Sequence, residues 1–173
     1  MTQLQPWFDR RFDFSFPAEL FPNLCVRLRG TPARLEEIAR TGNQRLLVRK
    51  PADQKWSAQE HAGHLLDLES LWRARVGDYV AGSQALTVAD LTNQKTHQAN
   101  HNARPLESIL RDFRSARSQL LQGLDSIDAK AFLRSIPHPR LQTPMRLVDH
   151  LYFVAEHDDH HLARIWELLQ EHG

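Results

Sequence analysis

Three stretches of this chain repeat apolar residues at the helical period between start and stop signals, and this pattern restricts the fold more than any other feature. In the first, Leu65, Leu68, Trp72, Val76 and Tyr79 form one stripe; Ser57 with Glu60 three residues on reads as a capping box, and Ala81-Gly82 as the end. In the second, Pro105 precedes Leu106, Ile109, Leu110, Phe113, Leu120, Leu121 and Leu124, with Gly123 near the close. In the third, Thr143 and a Pro144 at the first helical position open a long helix carrying Leu147, Leu151, Val154, Ile165 and Leu169. A shorter helix starts at Thr31-Pro32, carries Leu35 and Ile38 and stops at Thr41-Gly42-Asn43; Leu24 and Leu28 would begin its stripe earlier, but Gly30 interrupts them. Residues 87–102 read as a loop with a short helical piece around Leu91 to Ala99, and Ser135 to Pro139 as breakers. Four amphipathic helices with no convincing strand pair predict an all-α, up-down four-helix bundle.

At 173 residues with 41% hydrophobic and 25% charged side chains, the chain is sized for one domain with one core, which excludes fibrous, disordered and disulfide-scaffold classes. Residues 1–21 stand apart: Trp7, Phe8, Phe12, Phe14, Phe16 and Phe21 crowd there, and Phe12, Phe14 and Phe16 alternate with charged or small neighbours, as in an extended strap. The expected division is an arm over 1–21 and a single bundle over 22–173. The arm is expected to lie on the body or on a partner subunit, and a homodimer is expected.

Cys25 is the only cysteine, so no intramolecular disulfide and no cysteine-built zinc knuckle can form. That fits a reducing, cytoplasmic setting. The start of the chain lacks a secretory pattern, and no run of eighteen uncharged apolar residues offers a membrane span. Arginine supplies 18 of the 22 basic residues, but they are scattered among 21 acids at a net charge of +1. No basic face points to nucleic acid, and a small-molecule substrate is expected instead.

Ten histidines against one cysteine mean that any metal site here is built mainly from nitrogen and oxygen. In the string A-E-H-D-D-H-H-L-A-R, His157 and His161 stand four residues apart on the apolar face of the last helix, a spacing that lets both imidazoles reach one ion. Asp158 follows His157 where the thermolysin-type motif requires glutamate, which weakens that reading. A third ligand must come from a facing helix, and His61 and His64 are the candidates there; helix geometry alone does not separate them. His150, two turns before His157, is a possible fourth contact, and His160 points off the stripe. His97 and His101 form a second pair at the same spacing, read as a loop or surface pair. His138 and His172 carry no positional argument, and Trp56 reads as a hydrophobic staple ahead of the capping box.

The stretch W-S-A-Q-E-H-A-G-H-L (Trp56 to Leu65), followed far downstream by H-D-D-H-H-L-A-R-I (His157 to Ile165), resembles the DinB/YfiT-like superfamily of four-helix bundles. The likeness runs from about Asn23 to the last helix and takes in D-L-T-N (Asp90 to Asn93) and H-N-A-R-P-L (His101 to Leu106). In that family a histidine just before the first leucine of the second helix is one metal ligand, and the final helix gives two more. The resemblance therefore implies His64, His157 and His161 as ligands of a divalent ion, zinc or nickel foremost. It also implies one of several activities: thiol S-transfer with bacillithiol, mycothiol or glutathione, thiol-dependent isomerisation, or metal-dependent hydrolysis.

Three neutral imidazoles leave a divalent ion its full charge and an open position, able to bind a low-molecular-weight thiol as thiolate or to lower the pKa of bound water to about 7. S-transfer is the first expectation, hydrolysis the alternative, and a non-catalytic metal-stabilised module the third; a fourth protein ligand would favour the last. Asp158, Asp159 and Glu60 are the local carboxylates for proton transfer. Asp67, Glu69, Glu156 and Asp159 are the candidate partners for the outer histidine nitrogens. Arg75 reads first as a solvated arginine, and second as a contact for an anionic thiol or substrate at the bundle mouth.

Overall fold

A computed structural model describes residues 4–170, so His172 lies outside the described residues. The arm contains short 3-10 turns at Trp7–Asp9 and Ala18–Leu20 and leads into α1 (Phe21–Ala39) and a short α2 (Gln44–Val48). Then come α3 (Ala58–Ala81), α4 (Gln94–Gln98), α5 (Leu106–Asp125), α6 (Ala129–Leu133), β1 (Ser135–Pro137), β2 (Pro144–Arg146) and α7 (Leu147–Gln170). The fold is an all-α four-helix bundle of α1, α3, α5 and α7. Around it, α1 neighbours α5 and α7, and α3 neighbours the same two, while α1 and α3 barely touch. The long connections 40–57 and 126–146 allow the chain to cross the bundle between successive long helices.

The capping box at the start of α3 is present: the Ser57 side chain accepts from Glu60 N–H, the Glu60 side chain accepts from Ser57 N–H, and Gly82 ends the helix in the left-handed region at φ 71°. The other boundaries differ from expectation in two places. Gly30 and Pro32 do not delay α1, which runs through both from Phe21 and buries Leu24 and Leu28. Pro32 cannot donate to the Leu28 carbonyl one turn back, but the Arg117 guanidinium does, at 3.2 Å, so that carbonyl is not left bare. Pro144 does not open α7 either. It lies in β2, which pairs antiparallel with β1 and seats the buried Ile136 opposite the buried Met145. The helix begins at Leu147, with the Asp149 carboxylate accepting from Arg146 N–H at 2.8 Å.

Arg117 ties the bundle at one point. It is 1% exposed and contacts all three other long helices: Leu28 of α1, Glu69 of α3 at 2.6 Å and Asp158 of α7 at 2.6 Å. Thr31 of α1 also donates to Asp158, at 2.8 Å.

The arm lies on α7 of its own chain. Phe12, Phe14 and Phe16 turn inward while Arg11, Asp13 and Ser15 face solvent, the alternation of a strap. Trp7 and Phe12 pack edgewise or tilted on Phe153, with centroids 5.2 and 5.1 Å away, and Phe16 packs on Tyr152. Arg146 donates to the carbonyls of Phe14 and Phe16, and Arg10 pairs with Glu156. Among the described residues, no helix is long and apolar enough to cross a membrane.

Candidate metal centre

His64 on α3 and His157 and His161 on α7 are brought together where these two helices face one another. One nitrogen from each lies within 4.8 Å of the others, and all three residues are buried. The Nε2 atoms of His157 and His161 are 3.2 Å apart. Two nitrogens bound tetrahedrally at about 2.0–2.1 Å from one zinc ion would be about 3.3 Å apart, so this pair already has the required spacing.

The outer nitrogens show which lone pairs remain free. Thr96 spends its one hydroxyl proton on Asp67, at 2.9 Å, so it can only accept from His64 Nδ1–H, at 3.0 Å. His64 is thereby held as the tautomer with a free Nε2 lone pair. Asp67 in turn accepts from His101 Nε2–H at 2.8 Å. His101 fits there because residue 63 is glycine: a Cβ at that position would lie 2.2 Å from the His101 ring. On the other side, His61 Nδ1 meets His161 Nδ1 at 2.8 Å, which directs His161 Nε2 to the centre. His61 therefore supports a ligand position instead of occupying one.

Burial, reinforced by the neighbouring imidazoles, holds His157 and His161 well below the ordinary histidine range. Burial also pulls His64 down to about 4 and His61 to about 3. Neutral imidazoles with free lone pairs are the form that binds a divalent ion, so the donor set fits such an ion.

The triad opens into a cavity of about 240 Å³ walled by Trp7, Trp56, Trp72, Leu68 and Phe153. Asp90 is the only carboxylate lining it among the described residues, and both its oxygens already accept from the Thr92 and Gln94 segment. Arg75, His138 and Arg140 line the wall beyond the triad.

Several expectations are redistributed. Arg75 is not a solvated arginine: it is 1% exposed, lies beside Trp72 and donates to His138 Nε2 at 3.0 Å. Trp56 packs against the rings of His61, His64, His97 and His161 and lines the cavity, instead of stapling the core. The second histidine pair splits: His97 is exposed, whereas His101 is 1% exposed within the Asp67 network. His150 does not join the triad; it is fully buried against Trp72 and Tyr79 with neither nitrogen hydrogen-bonded. His160 is half-buried beside Trp7.

Of the expected outer-shell carboxylates only Asp67 acts on a ligand, through Thr96. Glu69 and Asp158 pair with Arg117, Glu156 with Arg10 and Arg27, Asp159 with Arg27 and Arg34, and Glu60 with Lys50. Thr96 carried no signal in the sequence. Arg75 did: it stands three residues after Trp72 and four before Tyr79, on the buried stripe itself.

The family model of the DinB superfamily matches residues 27–165, a span that includes all three histidines. The chain belongs to the DinB superfamily. Among solved structures, this DinB chain is similar to YfiT from Bacillus subtilis, described as a probable metal-dependent hydrolase with an unusual four-helix bundle topology. The identity is 19% over 92% of this chain and 91% of that one, with a TM-score of 0.78, a likeness of fold. Comparison with curated proteins gives no match.

Proposed function

We propose that this DinB-superfamily chain is a divalent-metal-dependent enzyme that activates a low-molecular-weight thiol for S-transfer, with His64, His157 and His161 holding zinc or nickel. When bound, the ion supplies Lewis acidity that brings the pKa of a coordinated thiol or water toward neutrality. The observation that carries the reading is the cavity itself: three inward imidazoles at an aromatic wall, with no carboxylate free beside them among the described residues. Hydrolysis calls for a group to accept a proton from water, and the nearby acids are committed to arginines, to a lysine or to backbone N–H groups. A thiol also gives up a proton, but its pKa of about 8.5 lets it release that proton to solvent and enter as thiolate without a base in the cavity. The chain does not supply the sulfur either: Cys25 lies on α1, packs against the core and is absent from the cavity lining, and burial raises its thiol pKa.

In this reading Thr96, itself held by Asp67, fixes the tautomer of His64, and His61 orients the ring of His161. Trp7, Trp72 and Phe153 exclude water and orient the apolar part of the substrate. Hydrolysis is the second reading, favoured by the description of YfiT. The test is to load purified protein with zinc or nickel and measure conjugation of glutathione to 1-chloro-2,4-dinitrobenzene beside hydrolysis of 4-nitrophenyl acetate. Metal-dependent conjugation is expected; metal-dependent ester hydrolysis indifferent to thiol would replace this reading with the second.

A further inference from the structure

Two arginines are fully buried in this fold, and they are treated differently. Arg117 is matched by two carboxylates. Arg75, equally buried, has none among the described residues: its Nε donates to the Thr87 carbonyl at 2.9 Å and its Nη1 to His138, leaving Nη2 without a hydrogen bond. Arg140 stands nearby on the wall. Its guanidinium lies 5.3–5.9 Å from the rings of Trp7, Phe8 and Phe153, makes no hydrogen bond to any described residue, and has Nη2 buried. His138, between them, is pushed down to about 3 by burial and then by these two cations, so it adds no charge. The one carboxylate lining the cavity, Asp90, is exposed and already engaged. Asp78, three residues on, acts on Arg75 only at longer range and makes no ion pair with it. A buried guanidinium with no carboxylate in contact is costly, and with the half-buried Arg140 on the same wall it leaves an unmet demand for an anion.

We propose that this cavity is an anion subsite that takes an elongated organic carboxylate, its two oxygens meeting Arg75 and Arg140 and its apolar body lying on the aromatic wall. This rests on the reading of the cavity as the substrate site. The free donors are few, which matches the two oxygens of a carboxylate. Arg75 lies eleven residues beyond His64 on α3, roughly 16 Å of helix rise, shortened to the extent that the longer arginine side chain leans further toward the N-terminus than the imidazole does. The carboxylate is therefore separated from the reacting atom by several bonds. The thiol or its acceptor carries a terminal acid.

The test uses full-length protein stripped of metal by a chelator, so that carboxylate binding to an ion does not intrude. Binding of 6-phenylhexanoate and of its neutral analogue 6-phenylhexanamide is followed by tryptophan fluorescence and calorimetry. The acid is expected to bind at least about tenfold tighter than the amide, as charge-assisted bonds are replaced by neutral ones. That preference should fall toward unity in Arg75→Gln and drop severalfold in Arg140→Gln, and should persist in His157→Ala. If Arg75→Gln does not fold, Arg140→Gln carries the comparison. Equal binding of acid and amide, binding of neither, a preference unchanged in both arginine variants, or its loss in His157→Ala would each overturn the proposal. Metal content, measured separately on untreated protein, tests the metal-dependent reading without touching this comparison.

Discussion

Replacing Arg117 by methionine removes the one cation that α1, α3, α5 and α7 share. The substitution keeps most of the side-chain volume and deletes the ion pairs to Glu69 and Asp158 and the bond to the Leu28 carbonyl. Glu69 and Asp158 are 2% and 0% exposed, so both carboxylates are stranded away from water and near one another. Removing one partner of a buried ion pair costs about 3–5 kcal/mol, and the bare carbonyl opposite Pro32 adds to it. For a domain of this size each kcal/mol shifts Tm by about 2–4 °C, so a fall of roughly 6–20 °C is expected. Urea unfolding of metal-stripped protein with an unchanged m-value would measure the cost directly.

The pH dependence separates this mechanism from simple loss of packing. Burial already raises the Glu69 carboxyl above its ordinary value in the intact protein. Without the guanidinium, the stranded Glu69 carboxylate binds a proton still more readily in the folded than in the unfolded chain. A raised folded pKa gives stability that is present at low pH and lost as pH rises through it. The gap between Arg117→Met and the unaltered protein should therefore be widest at pH 7 and above and narrow toward pH 5, and adding Asp158→Asn should recover part of it. A gap below about 1 kcal/mol at pH 7.5, or one that does not change with pH, would refute the reasoning.

Purified protein is expected to carry about one divalent ion per chain, and His64→Ala, His157→Ala or His161→Ala should lower that content far more than His97→Ala; stoichiometric metal in all three ligand variants would remove the site. Thr96→Val and Asp67→Asn, which release the His64 tautomer, should weaken zinc affinity about 10–100-fold in a chelator competition while the fold is kept, and unchanged affinity would remove the network's role. Metal-free protein should lose stability as pH falls below about 6.5, because the buried His64, His150, His157 and His161 are held neutral in the folded state and take up protons on unfolding. At pH 5.5 each costs about 1.4 kcal/mol relative to neutral pH, so denaturant midpoints independent of pH between 7.5 and 5.5 would contradict that assignment. Gly63→Ala should displace the His101 ring and lower both stability and zinc affinity, and an alanine variant indistinguishable from the parent would show that the close approach is not needed.

What could be read from the chain followed the range of the interactions involved. The limits of α3 were legible because a capping box and a left-handed glycine are local devices. The start of α1 was not, because Pro32 is a start signal on its own and is tolerated mid-helix where a guanidinium 85 residues later serves the freed carbonyl. The β1–β2 ladder is not visible locally, because its prolines are breaker signals and pairing with a second segment, not local sequence, decides the structure. In the site, the His157–His161 spacing was visible, while His61 and His64 share a helix and were equivalent by periodicity. Thr96 and the His161 ring separate them, and neither contact is written into α3.

The docking of the arm on α7 also bears on when the cavity is completed. Arg10 meets a partner 146 residues further along the chain. At synthesis rates of about 5–20 residues per second, the arm exists for roughly 7–30 s before the surface it covers has been made. Trp7 and the phenylalanine strap then have no permanent place to bury, and the wall that Trp7 and Phe8 give the cavity is absent. The last long helix carries both His157 and His161 and the surface on which the first aromatic residues settle, so neither the histidine triad nor its enclosure can form before that helix is made.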